Sequence, residues 1–271
     1  MERTVLVTGA GSGIGLATTL ELARRGFHTV GGVRSAAKAE RIAEAAARAS
    51  LSIDTIQLDV TDAAGCARVI DELRPYGLVN SAGFAAGGAI EDVDDAEARL
   101  AFETMVLAPM RLARLAVPHM RARGEGRIVN VSSVFGWETV PLTGWYQGVK
   151  HALEGLSDAL RMEVASSGVT VIVIEPGSVR TGIWHKLTED AARVRGSSRY
   201  DEAYRRALAM IRWARPIMGD SAHVATVVGR AMTSFWPRAR YLVGTDAWLL
   251  ALLDHIPTRP RDRLARLLLG L

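Results

Sequence analysis

From residue 4 to about residue 180, short apolar and β-branched runs alternate with segments whose apolar residues recur at helical spacing. The runs Thr4–Thr8, His28–Val33, Ile53–Leu58, Gly77–Asn80, Arg127–Ser132 and Thr170–Glu175 read as strands, and Arg240–Val243 as a seventh. Several are apolar on successive residues, as strands buried on both faces must be. Parallel strands need a crossover long enough to hold a helix, and right-handed crossovers place helices on both faces. The expected fold is therefore α/β, a doubly wound, Rossmann-like parallel sheet of about seven strands.

A chain of 271 residues suits one such domain, here 1–271, better than two. One interruption stands out. Residues 182–215 form a charged, Trp-containing insertion between the sixth and seventh strands, with the polar segment 193–199 as a joint. Ligands of open α/β sheets bind beyond the carboxyl ends of the strands, so this insertion is expected to cover a substrate.

The sequence Thr8-Gly9-Ala10-Gly11-Ser12-Gly13-Ile14-Gly15 follows the first strand and opens a helix. Glycines there permit a tight turn and close approach of a pyrophosphate, which the helix N-terminus attracts with free N–H groups and its dipole. The first βα junction is where a dinucleotide binds in this architecture. Its spacing is TGxxxGIG, which resembles the short-chain dehydrogenase/reductase family.

Further motifs carry the resemblance over residues 3–182. Asp59-Val60 ends the third strand, where the family holds adenine. Asn80-Ser81-Ala82-Gly83 resembles the family's NNAG with Ser81 as a departure. Pro176-Gly177-Ser178-Val179-Arg180-Thr181 resembles PGxxxT, which lines the nicotinamide pocket. At the end of the second strand an acid would accept hydrogen bonds from the adenosine ribose and repel a 2′-phosphate. Here Gly31-Gly32-Val33-Arg34-Ser35 offers no acid, and Arg34 could pair with that phosphate, so NADP(H) is expected over NAD(H).

Tyr146 and Lys150 stand one turn apart on a helix face. A phenol is a poor base at neutral pH, and a neighbouring ammonium favours its ionised form. Within this framework the pair matches the family's YxxxK motif, and Ser133, thirteen residues before Tyr146, matches its substrate-binding serine. Ser132 is expected to face the other way in a supporting role. The resemblance implies hydride transfer between nicotinamide and a carbonyl or secondary alcohol, with Tyr146 as proton donor, Ser133 holding the oxygen and Lys150 tuning Tyr146. Two departures remain. Met105 stands where the family's water-seating asparagine is usual, and Val149 where serine is common.

Phe84, Trp137, Trp145, Trp184, Met210 and Trp213 are candidate pocket residues, pointing to a bulky apolar substrate. The run His151-Ala152-Leu153-Glu154-Gly155-Leu156 is loosely similar to the family's steroid and retinol dehydrogenase branch. His185 and Glu189 read as a solvated pair on a helix. Gly148, Ala152, Gly155 and Ala159 permit close helix approach, and the resemblance implies a homo-oligomer, dimer or tetramer, through that helix. Two other readings stay open: a cofactor-assisted isomerase, epimerase or dehydratase, and a cofactor-binding protein without turnover.

The net charge of +4 comes without a basic stripe or a reading motif, which argues against a nucleic-acid binder. The single cysteine, Cys66, allows no internal disulfide and suits a reducing, cytoplasmic compartment. With a strand already at residues 4–8, no signal peptide is expected, and no apolar run is long enough for a transmembrane span. The segment Arg259–Leu271 mixes arginine with leucine at helical spacing. It is expected to dock on the body or on a neighbouring subunit, ahead of lying on a membrane surface.

Overall fold

The computed structural model describes residues 3–193, 196, 198–253 and 256–271, except the side chains of 183, 185–187, 190 and 252–253. The strands are β1 (Thr4–Thr8), β2 (His28–Val33), β3 (Asp54–Gln57), β4 (Gly77–Asn80), β5 (Gly126–Val131), β6 (Val169–Pro176) and β7 (Arg240–Val243). They form one parallel sheet in the order β3-β2-β1-β4-β5-β6-β7. The order reverses between β1 and β4, which opens a crevice at their carboxyl ends. Three strands end one residue away from their expected limits, and the other four keep them.

The helices are α1 (Gly13–Arg24), α2 (Ala36–Arg48), α3 (Ala63–Leu73), α4 (Asp95–Phe102), α5 (Ala108–Arg123), α6 (Gly144–Glu163), α7 (Ile183–Arg193), α8 (Asp201–Ala214), α9 (Ser221–Thr233), α10 (Thr245–Leu253) and α11 (Thr258–Leu269). Side chains of a strand alternate between faces, so β1 feeds two cores at once. Val5 and Val7 pack with Leu22 of α1 and Val228 and Met232 of α9. Leu6 turns the other way, to Ile70 of α3 and to Leu112 and Met120 of α5. Full burial of each such side chain stabilises the fold by about 1.5–3 kcal/mol. Cys66 lies buried in the second core, where burial pushes its thiol pKa up, so it is packing and not a nucleophile.

The insertion folds as α7 and α8, which pack on each other. Tyr204 of α8 anchors it: its hydroxyl donates to Asp92 at 2.8 Å and accepts from the Ala89 amide at 2.7 Å. Residues 194, 195 and 197 of the expected joint, and the His185 side chain of the expected pair with Glu189, lie outside the described residues. α11 docks on the body, as expected, and contacts α8. Arg261 reaches Glu138 at 3.3 Å. Among the described residues no helix is long and apolar enough to cross a membrane.

Candidate active site

The glycine-rich turn is shaped by contacts no side chain would survive. Gly9 holds φ +67°, and a Cβ there would lie 2.7 Å from the Cα of Ala82 in the loop after β4. A Cβ on Gly15 would lie 2.2 Å from the Gly9 carbonyl oxygen, so only glycine lets α1 start this close to the turn. Thr8 ties the two loops together, because its hydroxyl accepts from the Ser81 and Ala82 amides at 3.1 and 3.2 Å. Ser12, the residue before α1, makes no side-chain cap. The first N–H groups of α1 thus lack a side-chain acceptor where Gly13, Ile14 and Gly15 border a cleft.

That cleft holds about 360 Å³. Besides the turn it is lined by Arg34, Asp59, Val60, Ala82, Gly83, Tyr146, Lys150 and Thr181, all expected from the sequence. Lys38, in the first turn of α2, was not expected. Its aliphatic stem lies over Gly11, where a Cβ would meet it at 2.7 Å, and it lines the cleft with Arg34. Asp59 accepts from the Thr61 amide at 3.0 Å and hydroxyl at 2.8 Å. The backbone bond and, less strongly, the nearby Arg34 hold its carboxyl below the usual range. An uncapped helix start, a side-chain-free cradle and two cations at the far end fit a phosphate-bearing dinucleotide.

Asn80 does not line this cleft. It is buried and donates to Asn130 at 2.8 Å, which donates to Ser157 of α6 at 2.8 Å. The expected cofactor contact is replaced by a polar chain joining β4, β5 and α6. Pro176, Gly177 and Val179 border a second cavity, of about 480 Å³. Asp246 of α10 holds this loop by accepting from the Ser178 amide at 2.5 Å.

Ser133 lines the second cavity. Its hydroxyl accepts from the Phe135 amide at 3.2 Å and has a long 3.5 Å contact to the Pro176 carbonyl. Lys150 of α6 donates to the Val131 carbonyl at 2.9 Å and sits 5.5 Å from the centroid of the Tyr146 ring. Burial draws its pKa down to about 8, against the pull of Glu154. Burial pushes the Tyr146 phenol up to about 12, while a hydrogen bond with Ser133 acts the other way. Tyr146 borders both cavities, as do Ile14, Ser132 and Thr181, so the two spaces meet at the tyrosine.

The second cavity is lined by Val140, Leu142, Val179, Trp184, Tyr204, Met210 and Trp213 among others, and no charged side chain lines it among the described residues. Trp184 is tied back by its indole N–H, which donates to the Val179 carbonyl at 2.7 Å. Three of the six candidate pocket residues are misplaced. Phe84 borders the dinucleotide cleft. Trp145 turns away from the cavity, and its indole donates to the Ile90 carbonyl at 3.3 Å. Trp137 borders neither space.

Met105 falls within a π-helical turn, Glu103–Leu107, between α4 and α5. It is fully enclosed beside Ala86, Ala101 and Val149, and its sulfur lies 3.0 Å from where a Gly83 Cβ would be. An apolar thioether therefore fills part of the wall of the cleft that Lys150 also lines.

The chain has relatives among known proteins. The short chain dehydrogenase family profile matches residues 3–192. YusZ of Bacillus subtilis strain 168, described as an uncharacterized oxidoreductase, is 36% identical over 263 residues, covering 94% of each chain. An NADPH-dependent 3-dehydrocapnine reductase of Ornithobacterium rhinotracheale is 31% identical, covering 97% of this chain and 95% of that one. The crystal structure of a short chain dehydrogenase/reductase from Burkholderia phymatum in complex with NAD aligns with a TM-score of 0.79 at 25% identity, over 98% of this chain and 95% of that one. The chain is an oxidoreductase and belongs to the short-chain dehydrogenase/reductase family.

Proposed function

We propose that this enzyme is an NADP(H)-dependent ketoreductase or hydroxy dehydrogenase acting on a bulky apolar carbonyl or secondary alcohol. The observation that carries the reading is Tyr146, the wall shared by the phosphate-binding cleft and the uncharged cavity. When bound, the nicotinamide supplies or accepts the hydride. Tyr146 keeps its proton at neutral pH and delivers it from Oη to the substrate oxygen as that oxygen gains negative charge. Ser133, which lines the same cavity as Tyr146, turns its hydroxyl onto the same oxygen. Lys150 places its ammonium beside the phenol and favours the phenolate left behind.

Arg34, Lys38 and the missing acid after β2 support NADP(H), and the capnine reductase relative uses NADPH. The absence of charged side chains among the described residues that line the second cavity supports an apolar substrate, because a buried ion without a partner costs several kcal/mol. The helices α7 and α8 form one wall of that cavity and act as its cover. Reaction in a reducing, cytoplasmic compartment and pairing of two copies along α6 complete the reading. Nothing lies within 4 Å of a Cβ on Gly148 or Gly155, so that face of α6 is open.

The test is absorbance of reduced nicotinamide with NADPH or NADH against bulky apolar ketones. Tyr146→Phe is expected to lower turnover about 10²–10⁴-fold while cofactor binding persists. Arg34→Ala is expected to raise the KM for NADPH about tenfold or more and to spare NADH. Met105, an apolar side chain in the cleft that Lys150 also lines, favours a second reading without net redox change: isomerisation, epimerisation or dehydration. Substrate conversion at constant NADPH absorbance would establish that reading instead.

A further inference from the structure

The mouth of the uncharged cavity is built by α8 and α11, and these helices present apolar side chains to solvent there. Met210 (47% exposed), Trp213 (79%) and Leu268 (52%) line the cavity and reach the surface. The apolar surface continues along α11 through Leu264 (49%) and Leu267 (69%). At 100° per residue, Ala265 and Leu269 mark the docked side of α11, Leu267 falls opposite it, and Leu268 and Leu264 fall on the flank between. A helix serving only to close the body would bury its leucines, yet of these four only Leu269 is hidden.

The surround is cationic. Arg212 and Arg215 flank Trp213 in sequence, and Arg259, Arg263 and Arg266 occupy the neighbouring side of α11. All five are exposed, and none makes an ion pair among the described residues. Exposed Trp and Leu edged by unpaired arginine is the composition of a helix lying in a lipid interface.

We propose that this face docks on the surface of an anionic lipid bilayer, with the cavity mouth turned toward the lipid. A second copy is the weaker occupant. A two-fold contact sets a patch against itself, so these five arginines would be crowded together and desolvated with Asp262 as the one acid of α11 to offset them. Anionic headgroups neutralise them while the leucines and Trp213 enter the acyl boundary. An apolar substrate then passes from the lipid to Tyr146 with little exposure to water. That last step rests on the proposed function; the docking does not.

The test is co-sedimentation of the full chain, without cofactor or substrate, with vesicles of phosphatidylcholine alone or mixed with phosphatidylglycerol. Binding is expected to the mixed vesicles, to weaken with salt, and to fall about fivefold for each of Arg263→Ala and Arg266→Ala. Leu264→Ser with Leu267→Ser is expected to reduce it further, with the melting temperature and turnover of a water-soluble ketone unchanged. Four results would overturn the proposal: no sedimentation with either vesicle, equal sedimentation with both, indifference to the arginine changes, or indifference to the leucine changes in a variant that melts normally. If light scattering also showed the leucine changes turning a dimer into a monomer without vesicle binding, the face would be a contact between copies. A chain that binds vesicles yet reduces no ketone keeps this proposal and loses the redox one.

Discussion

Lys150 donates to the Val131 carbonyl, and burial leaves its ammonium with a pKa of about 8, inside the range where enzymes are assayed. The profile of kcat/KM reports groups of the free enzyme. A lowered lysine pKa means charge below about 8 and its loss above. Carbonyl reduction is therefore expected to be flat below about pH 8 and to decline above it. Lys150→Arg, which keeps its charge, is expected to remove that break even if its rate is lower. A profile still breaking near pH 8 in the arginine variant would place the titration elsewhere. Tyr146, Lys150 and Ser133 were legible because one helix turn and one strand end set their spacing. Lys38 was not, since its arrival depends on α2 leaning over Gly11 from a different βα unit. Asn80 was misread because a strand-end amide can face the cleft or the next strand, and Asn130 decides it.

At the scale of elements, β7 is tied to α6 by one side chain. Arg240 reaches Glu175 on β6 at 3.2 Å, Glu154 on α6 at 3.2 Å and Asp158 on α6 at 2.5 Å. Burial, with Glu154 nearby, still raises the Glu175 pKa to about 7, and burial raises that of Glu154 as well. A carboxyl raised in the folded state favours folding below its unfolded pKa, and that contribution is lost as pH rises through about 7. Arg240→Leu is expected to cost about 2 kcal/mol at about pH 8, after discount for the partial exposure of the arginine, and less at about pH 5.5, where Glu175 is neutral. Thermal melts at both pH values check this; a larger loss on the acid side would contradict it. The strands were legible at this scale because two-sided burial leaves an apolar run. The π turn at Glu103–Leu107 was not, since one extra residue in a turn leaves no periodic mark. Trp145 was misassigned for a related reason: one position from Tyr146 on a helix is a rotation of about 100°, enough to turn it toward Ile90.

For the whole molecule, sequence alternation specified a parallel sheet, and the motifs at strand ends located the crevice. It could not say which leucines of α11 meet the body, because Arg259–Leu271 supplies more apolar residues than one docked face uses. The strand order has a temporal consequence. Gly13 and Thr181 come together at the crevice, where a Cβ on Gly13 would lie 3.3 Å from the threonine methyl. They are far apart in the chain, and the crevice lacks its Thr181 wall until β6 has docked beside β5. A nucleotide is therefore expected to grip the finished sheet far more tightly than an early folding intermediate. Stopped-flow fluorescence of the six tryptophans should show NADPH leaving the refolding rate unchanged and slowing unfolding. On this expectation the nucleotide acts as a lock on a completed structure and gives no guidance to its assembly.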